Sequence, residues 1–287
     1  MNKNQEKIKA ALKKIDESLE TISTDEDWLK YLYFQSKFYN YSFGNTMLIY
    51  FQNRNASYVK GYKSWNDLGR FVRKGAKGLA ILAPYIRKQE LVKDDEDVER
   101  KEVRKVLTGF RIVYVYDIAD TEGDDSKLPV LVTGLAGNSA EEKKIYESLY
   151  KIISSKHIVQ EVTGTASKGS FNLETKVISV RADMDYIQKV KTILHEYSHL
   201  IDFEMNPDES ISRNRRELVA ESCAFVVSAR LGLDTSRYSM SYIQSWLKDK
   251  DELRIIADTV QKISYKIITE IAESSDSAFS ILGESEE

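Results

Sequence analysis

Residues 192 to 204 read TILHEYSHLIDFE, with His195 and His199 four residues apart and Glu196 directly after the first histidine. On a helix, at 100° per residue, the two rings stand about 40° apart on one face and one turn apart, so both can reach a single ion. Glu196 sits beside the first ligand, where it can hold a water. Zinc in such a site lowers the pKa of a bound water towards 7, and Glu196 can take the proton as that water attacks a carbonyl. Manganese suits the same donor set. The chemistry expected is metal-dependent hydrolysis, with Glu196 as general base.

A third ligand must come from elsewhere, because no histidine follows His199 and the only other one, His157, lies well upstream. The segment RRELVAESCAF supplies Glu217 and Glu221, again one turn apart. One can bind the metal while the other receives the free ring N–H of a ligand histidine. Cys223 is expected to pack as a small buried hydrophobe. Tyr238 and Tyr242 are the candidates for stabilising an oxyanion. Helix, polar loop and returning helix with Glu-x-x-Ala-Glu resemble the gluzincin metallopeptidases. That resemblance implies Glu217 as third ligand and Glu221 as the orienting acid, although many gluzincins carry Asp at the second position.

These residues need a scaffold. Apolar spacing predicts helices over 183–204 and 213–231, the first buried through Ile193, Leu194, Leu200, Ile201 and Phe203. Upstream come a helix over 140–154, a strand over 157–162, and FNLETKVISV as a hairpin or edge strand. A last helix covers 249–273. The N-terminal half opens with helices over 3–22 and 25–39, the second dense in aromatic residues, and a third after Gly44. A short Ser-capped helix then ends in the turn Lys74-Gly75-Ala76-Lys77-Gly78. Strands are expected over 79–86 and 108–116, with the charged 89–105 as an exposed hairpin tip or loop. The fold class is α+β, with domains at 1–120 and 139–287 and a linker at 121–138.

Between Arg54 and Lys88 lie nine basic residues against the single acid Asp67, a net of +8 in a chain whose total is −3. Tyr41, Tyr50, Phe51, Tyr58, Tyr62, Trp65 and Phe71 lie within or just before the stretch. Cations that follow phosphates, interleaved with rings that stack on bases, compose a single-strand binder. Arg54, Lys60, Lys63, Trp65, Arg70, Arg73, Lys74 and Lys77 are the candidate DNA contacts. The bulk numbers fit a soluble chain: 42% hydrophobic and 30% charged residues over 287 positions. One cysteine excludes an internal disulfide framework, and neither a signal peptide nor a membrane span is expected. A cytoplasmic location follows as an expectation.

The run from Tyr41 to Tyr85 resembles the N-terminal single-stranded-DNA-binding domain of ArdC-type antirestriction proteins. The resemblance is carried by Ser42 with Asn45, Trp65 with Leu68-Gly69, and Lys74-Gly75 with Lys77-Gly78. It implies a C-terminal zincin-like metallopeptidase domain of the ImmA/IrrE kind, and a role protecting the incoming DNA of a mobile element from restriction. It implies single-stranded DNA and an unknown protein substrate as partners. Two other readings compete: a regulatory peptidase that cleaves a repressor, and a DNA-coating protein whose metal site is not catalytic.

Overall fold

The computed structural model describes residues 3–95, 98–128, 139–235 and 249–274. The first part runs α1 (Lys3–Glu20), α2 (Asp25–Lys37), α3 (Phe43–Gln52), β1 (Val59–Gly61), α4 (Tyr62–Asp67), β2 (Arg70–Val72), β3 (Leu79–Asp95), β4 (Val98–Asp117) and β5 (Thr121–Gly123). Then follow α5 (Ser139–Ser154), β6 (Ile158–Val162), β7 (Gly169–Phe171), β8 (Val177–Arg181), α6 (Tyr186–Met205), α7 (Arg213–Arg230) and α8 (Lys250–Glu273). The architecture is mixed α+β. No helix among the described residues is long and apolar enough to cross a membrane.

Contacts divide the chain into one unit of Met1–Ser18 with Met47–Asp124, and a second of Leu19–Thr46 with Asp125–Glu287. The first unit is built on an antiparallel sheet in the order β1-β4-β3. Val59, Leu79, Ile81 and Val115 fall on one face by the alternation of strand side chains, and all four are buried. The charged 89–105 segment is not a separate loop. It continues the ladder out to Asp95 opposite Val98, with a register shift between Tyr85 and Ile86.

β2 and β5 form a second, two-stranded sheet. The start of the expected linker is therefore a strand, because Thr121–Gly123 pairs with Arg70–Val72. A Cβ on Gly123 would stand 2.4 Å from the Gly69 carbonyl oxygen, and its φ of +135° suits glycine alone. Positions 129–138 of that expected linker lie outside the described residues.

The second unit packs helices around a sheet in the order β6-β8-β7, with β6 parallel and β7 antiparallel to β8. Ile178 and Val180 of β8 point inward beneath α6. FNLETKVISV is indeed a hairpin, turned where the Asn172 side chain accepts from the N–H groups of Glu174 and Thr175.

The aromatic helix α2 belongs to this unit, which cuts across the expected boundary at 120. Its start is a capping box: Thr24 Oγ1 accepts from the Asp27 N–H, and the Asp27 carboxylate accepts from the Thr24 N–H. Trp28, Tyr31 and Phe34 are buried, and Trp28 Nε1 donates to Ser222 Oγ of α7 at 3.1 Å. At the other end Gln261 of α8 donates to the carbonyls of Phe38 and Tyr39, tying off the helix. An amphipathic helix joins whichever unit covers its apolar face, and sequence order does not say which that is.

Candidate metal centre and basic face

α6 buries Val190, Ile193, Leu194, Tyr197 and Ile201 in the core and turns His195 and His199 to a cleft of about 1110 Å³. α7 brings Glu217 to the same point. His195 Nε2 and His199 Nε2 are 3.1 Å apart, and Glu217 Oε2 stands 3.4 Å from the first and 3.6 Å from the second. A tetrahedral site with bonds near 2.0 to 2.1 Å has ligand-to-ligand edges of about 3.3 Å. The triangle of donor atoms has about that size, with one ligand atom from each residue within 4.8 Å of the others. The chemistry of the donors fits too. Two ring nitrogens that converge at 3.1 Å beside a carboxylate are satisfied together by one cation.

The Glu217 carboxyl is held far below the usual carboxylate range by its hydrogen bonds to His195 and His199. Burial alone would lower the His195 pKa, but bonds to Glu217 and Glu221 more than offset this and raise it to about 9. The centre thus attracts positive charge. Glu196 is only 8% exposed. Its burial pushes its carboxyl up, against the opposing pull of His195 and His199, which is the direction a general base needs.

Glu221 lies behind His195, with Oε2 2.9 Å from Nδ1. Its other oxygen is held by Lys191, a residue the sequence reading passed over. Lys191 lies one turn before His195, and only the structure shows that both reach the same acid. A second overlooked pair fixes α7 against α6. The Arg216 guanidinium donates to Asp202 at 2.8 Å and to the carbonyls of Asn206 and Asp208, and stacks on Phe203 at 3.8 Å. Arg216 precedes Glu217, and Asp202 lies almost a turn after His199, so this buried pair sets the depth of the third donor. The edge strand β7 passes close by: a Cβ on Gly169 would meet Thr192 Cγ2 at 2.4 Å and Glu196 Oε1 at 3.0 Å. Cys223 is fully buried, which pushes its thiol pKa up, and it takes no part in the cleft. Tyr238 and Tyr242 lie outside the described residues.

The basic stretch is less uniform than its composition. Lys63, Arg73, Lys74 and Lys77 are exposed, and Lys60 is half-buried. Arg54 and Lys60 lie over the rings of Tyr50 and Tyr58. Two candidates must be corrected. Trp65 is 0% exposed, packs edge-on against Tyr58, and donates Nε1 to the Tyr116 carbonyl at 2.9 Å. Its ring is core and stacks on nothing outside. Arg70 is 7% exposed and bonds Thr121 and Gly123, so it clamps the β2–β5 pair. Composition cannot separate a cation that faces solvent from one that is used inside.

Residues 3–132 match the family model described as the N-terminal domain of anti-restriction factor ArdC. The chain is also similar to the uncharacterized protein pXO2-81 of Bacillus anthracis, 24% identical over 298 residues. That alignment covers 88% of the chain but 49% of the relative, so the chain spans about half the length of the curated relative it matches. Two crystal structures of the antirestriction protein ArdC from the R388 plasmid are similar to it. The metal-free one is 19% identical, with 81% of this chain and 85% of that one covered, at a TM-score of 0.49. The Mn(II)-bound one is 17% identical, with 95% and 99% covered, at a TM-score of 0.48.

Proposed function

We propose that this ArdC-type chain binds single-stranded DNA through its first unit and carries a zincin-like, metal-dependent peptidase centre in its second. Together these would serve to protect the incoming DNA of a mobile element from restriction. The observation that carries the hydrolytic half is the convergence of His195, His199 and Glu217 on one point of a cleft that also holds Glu196. Zinc or manganese fits this donor set. Such an ion supplies Lewis-acid activation of a water and a carbonyl when bound.

The residues of the chain do the rest. Glu217 and the two histidines hold the ion, and Glu221 fixes the tautomer of His195 by accepting its Nδ1–H. Glu196 takes the proton of the attacking water and passes it to the leaving nitrogen. Its raised pKa lets one carboxyl serve both steps. Phe171, Leu173 and Phe203 give the cleft an apolar wall. A substrate strand laid along β7, the edge of its sheet, would bring a peptide carbonyl to this point.

The purified chain should contain about one zinc or manganese per molecule by elemental analysis, and the His195→Ala, His199→Ala double variant none. Full metal in the double variant would sink the assignment. The Glu196→Gln chain should keep its metal and hold on to a protein partner when recovered on single-stranded DNA. Turnover that survives in that variant would rule Glu196 out as the base.

A further inference from the structure

An antiparallel sheet with one face on a core normally turns polar side chains to water on the other. The three-stranded sheet of the first unit does not. Its register sets Lys60 beside Tyr116, Ala80 beside Tyr114, Leu82 beside Ile112 and Pro84 beside Phe110, all opposite the face buried by Leu79, Ile81 and Val115. Tyr114 is 50% exposed and Phe110 46%. Tyr62, 56% exposed at the start of α4, meets Tyr116 edge-on with ring centroids 6.3 Å apart. The neighbouring backbone is bare by construction. A Cβ on Gly78 would come within 2.9 Å of Tyr114 Cβ and 3.2 Å of the Tyr116 ring, so only glycine lets both tyrosines lie where they do. Contiguous exposed apolar surface of this kind marks a binding site.

Charge names the occupant. Lys60 shares the face, Lys63 follows Tyr62, and Lys74 and Lys77 lie in the turn that leads into Gly78, with Asp67 the only acid between Arg54 and Lys88. A second copy of this chain would bring like charges together, which disfavours a dimer through this face. A polyanion would be attracted. Rings offer their faces only to bases that are themselves unpaired, which selects a single strand over a duplex. We propose that this sheet face is a stacking platform for the unpaired bases of single-stranded DNA, with Tyr62, Phe110 and Tyr114 as the rings and Lys60 and Lys63 along the phosphates. The proposal rests on the single-strand reading above and adds the surface that performs it.

The test uses the full chain and a fluorescent oligo(dT), with a duplex of equal length as control. The Phe110→Ala, Tyr114→Ala double variant should bind the single strand about tenfold more weakly or worse, since each stacked base contributes substantially. Its salt dependence should match that of the unaltered chain, because rings release no counterions. The Lys74→Gln, Lys77→Gln variant should instead flatten the log–log salt slope by about 0.7 per lost phosphate contact. Tyr114→Phe keeps a ring and should bind nearly as the unaltered chain does. If the alanine pair disturbs the thermal unfolding midpoint, Phe110→Leu with Tyr114→Leu keeps the bulk without the rings and decides. Unchanged affinity in the ring variants, beside firm binding by the unaltered chain, would overturn the platform and leave the single-strand reading standing. No binding by the unaltered chain at low salt would overturn both. A dimer by light scattering that the ring variants abolish, without change in DNA affinity, would assign the face to self-association instead.

Discussion

The metal cleft and the sheet face break the same rule in opposite directions. In the cleft, polar side chains are buried: Glu196, His199, Asp202 and Arg216 are each less than 9% exposed. On the sheet, rings that would stabilise a core stand in water. Either departure costs stability, and proteins keep such departures mainly at functional sites. They differ in how the cost is offset. In the cleft the partners are internal and fixed, down to Lys191 on Glu221 and Asp202 on Arg216. On the sheet face Tyr62, Phe110 and Tyr114 stay about half exposed, and the compensation proposed for them is a ligand. An internally paired site should therefore report its mutations in stability and metal affinity, and an open one in binding alone.

The sharpest test of that contrast lies at Trp28. It is 2% exposed, and its indole N–H is bonded to Ser222 on the helix that carries Glu217. Trp28→Ala should lower the unfolding free energy of the second unit by about 3–5 kcal/mol, as for other buried tryptophans. Denaturant melts with and without added zinc would measure this. The same packing predicts that a fragment ending at residue 120 is poorly soluble. It strips α2 from α7 and removes β5 from β2 at once. A well-behaved fragment, or a Trp28→Ala chain of full stability, would show that α2 matters less to the cleft than its burial implies.

Within the centre, Glu217→Ala should lose metal more completely than Glu221→Ala, because in the proposed site the first is a donor and the second orients one. Losses of orienting partners typically cost roughly 10- to 100-fold in metal affinity. Competition with a chromogenic chelator ranks the two. Reversed order would mean that Glu221 is the ligand and that the donor triangle is wrongly drawn by one turn of α7.

The two sites were not equally legible in the sequence. His195, Glu196 and His199 could be read because spacing on one helix fixes their geometry. The acid pair 217 and 221 could be read as a pair for the same reason. Which acid binds came from family resemblance; the structure brings Glu217 within 3.4 and 3.6 Å of the two ring nitrogens and Glu221 to the far side of His195. Lys191, Asp202 and Arg216 act across two helices, and no spacing rule links them. The sheet face was illegible for another reason. Phe110 to Tyr116 runs FRIVYVY, with apolar residues on both alternations, as in a strand buried on both sides. Nothing in that run says that only the Val113 and Val115 side is covered. Trp65, one of the candidate DNA contacts, proved to be core. The paired length of the β3–β4 ribbon was likewise hidden, since its charged stretch carries no hydrophobic period to betray it.

The smallest expected effect is the most discriminating, and it concerns Lys191. This ammonium holds one oxygen of Glu221 while the other accepts from His195. Two physical effects of Lys191 on metal affinity have opposite signs. As a clamp, it keeps the Glu221 carboxylate ionised and aimed, which raises the basicity of the ligand ring and favours the metal. As a nearby positive charge, it repels a dication through the poorly screened interior. Lys191→Met removes both effects at similar volume. If the clamp dominates, metal affinity should fall, by less than the roughly 10- to 100-fold expected for an orienting residue itself. Lys191→Arg should then restore most of it, because a guanidinium can reach the same oxygen. If repulsion dominates, Lys191→Met binds metal more tightly and Lys191→Arg changes little. The visible spectrum of the cobalt-substituted chain adds a check independent of affinity. A clamp that fails lets the His195 ring turn and shifts the ligand field, whereas removal of a charge that touches no ligand leaves that spectrum in place. The pairing of both Glu221 oxygens favours the clamp, and a rise in affinity with an unchanged spectrum would refute it.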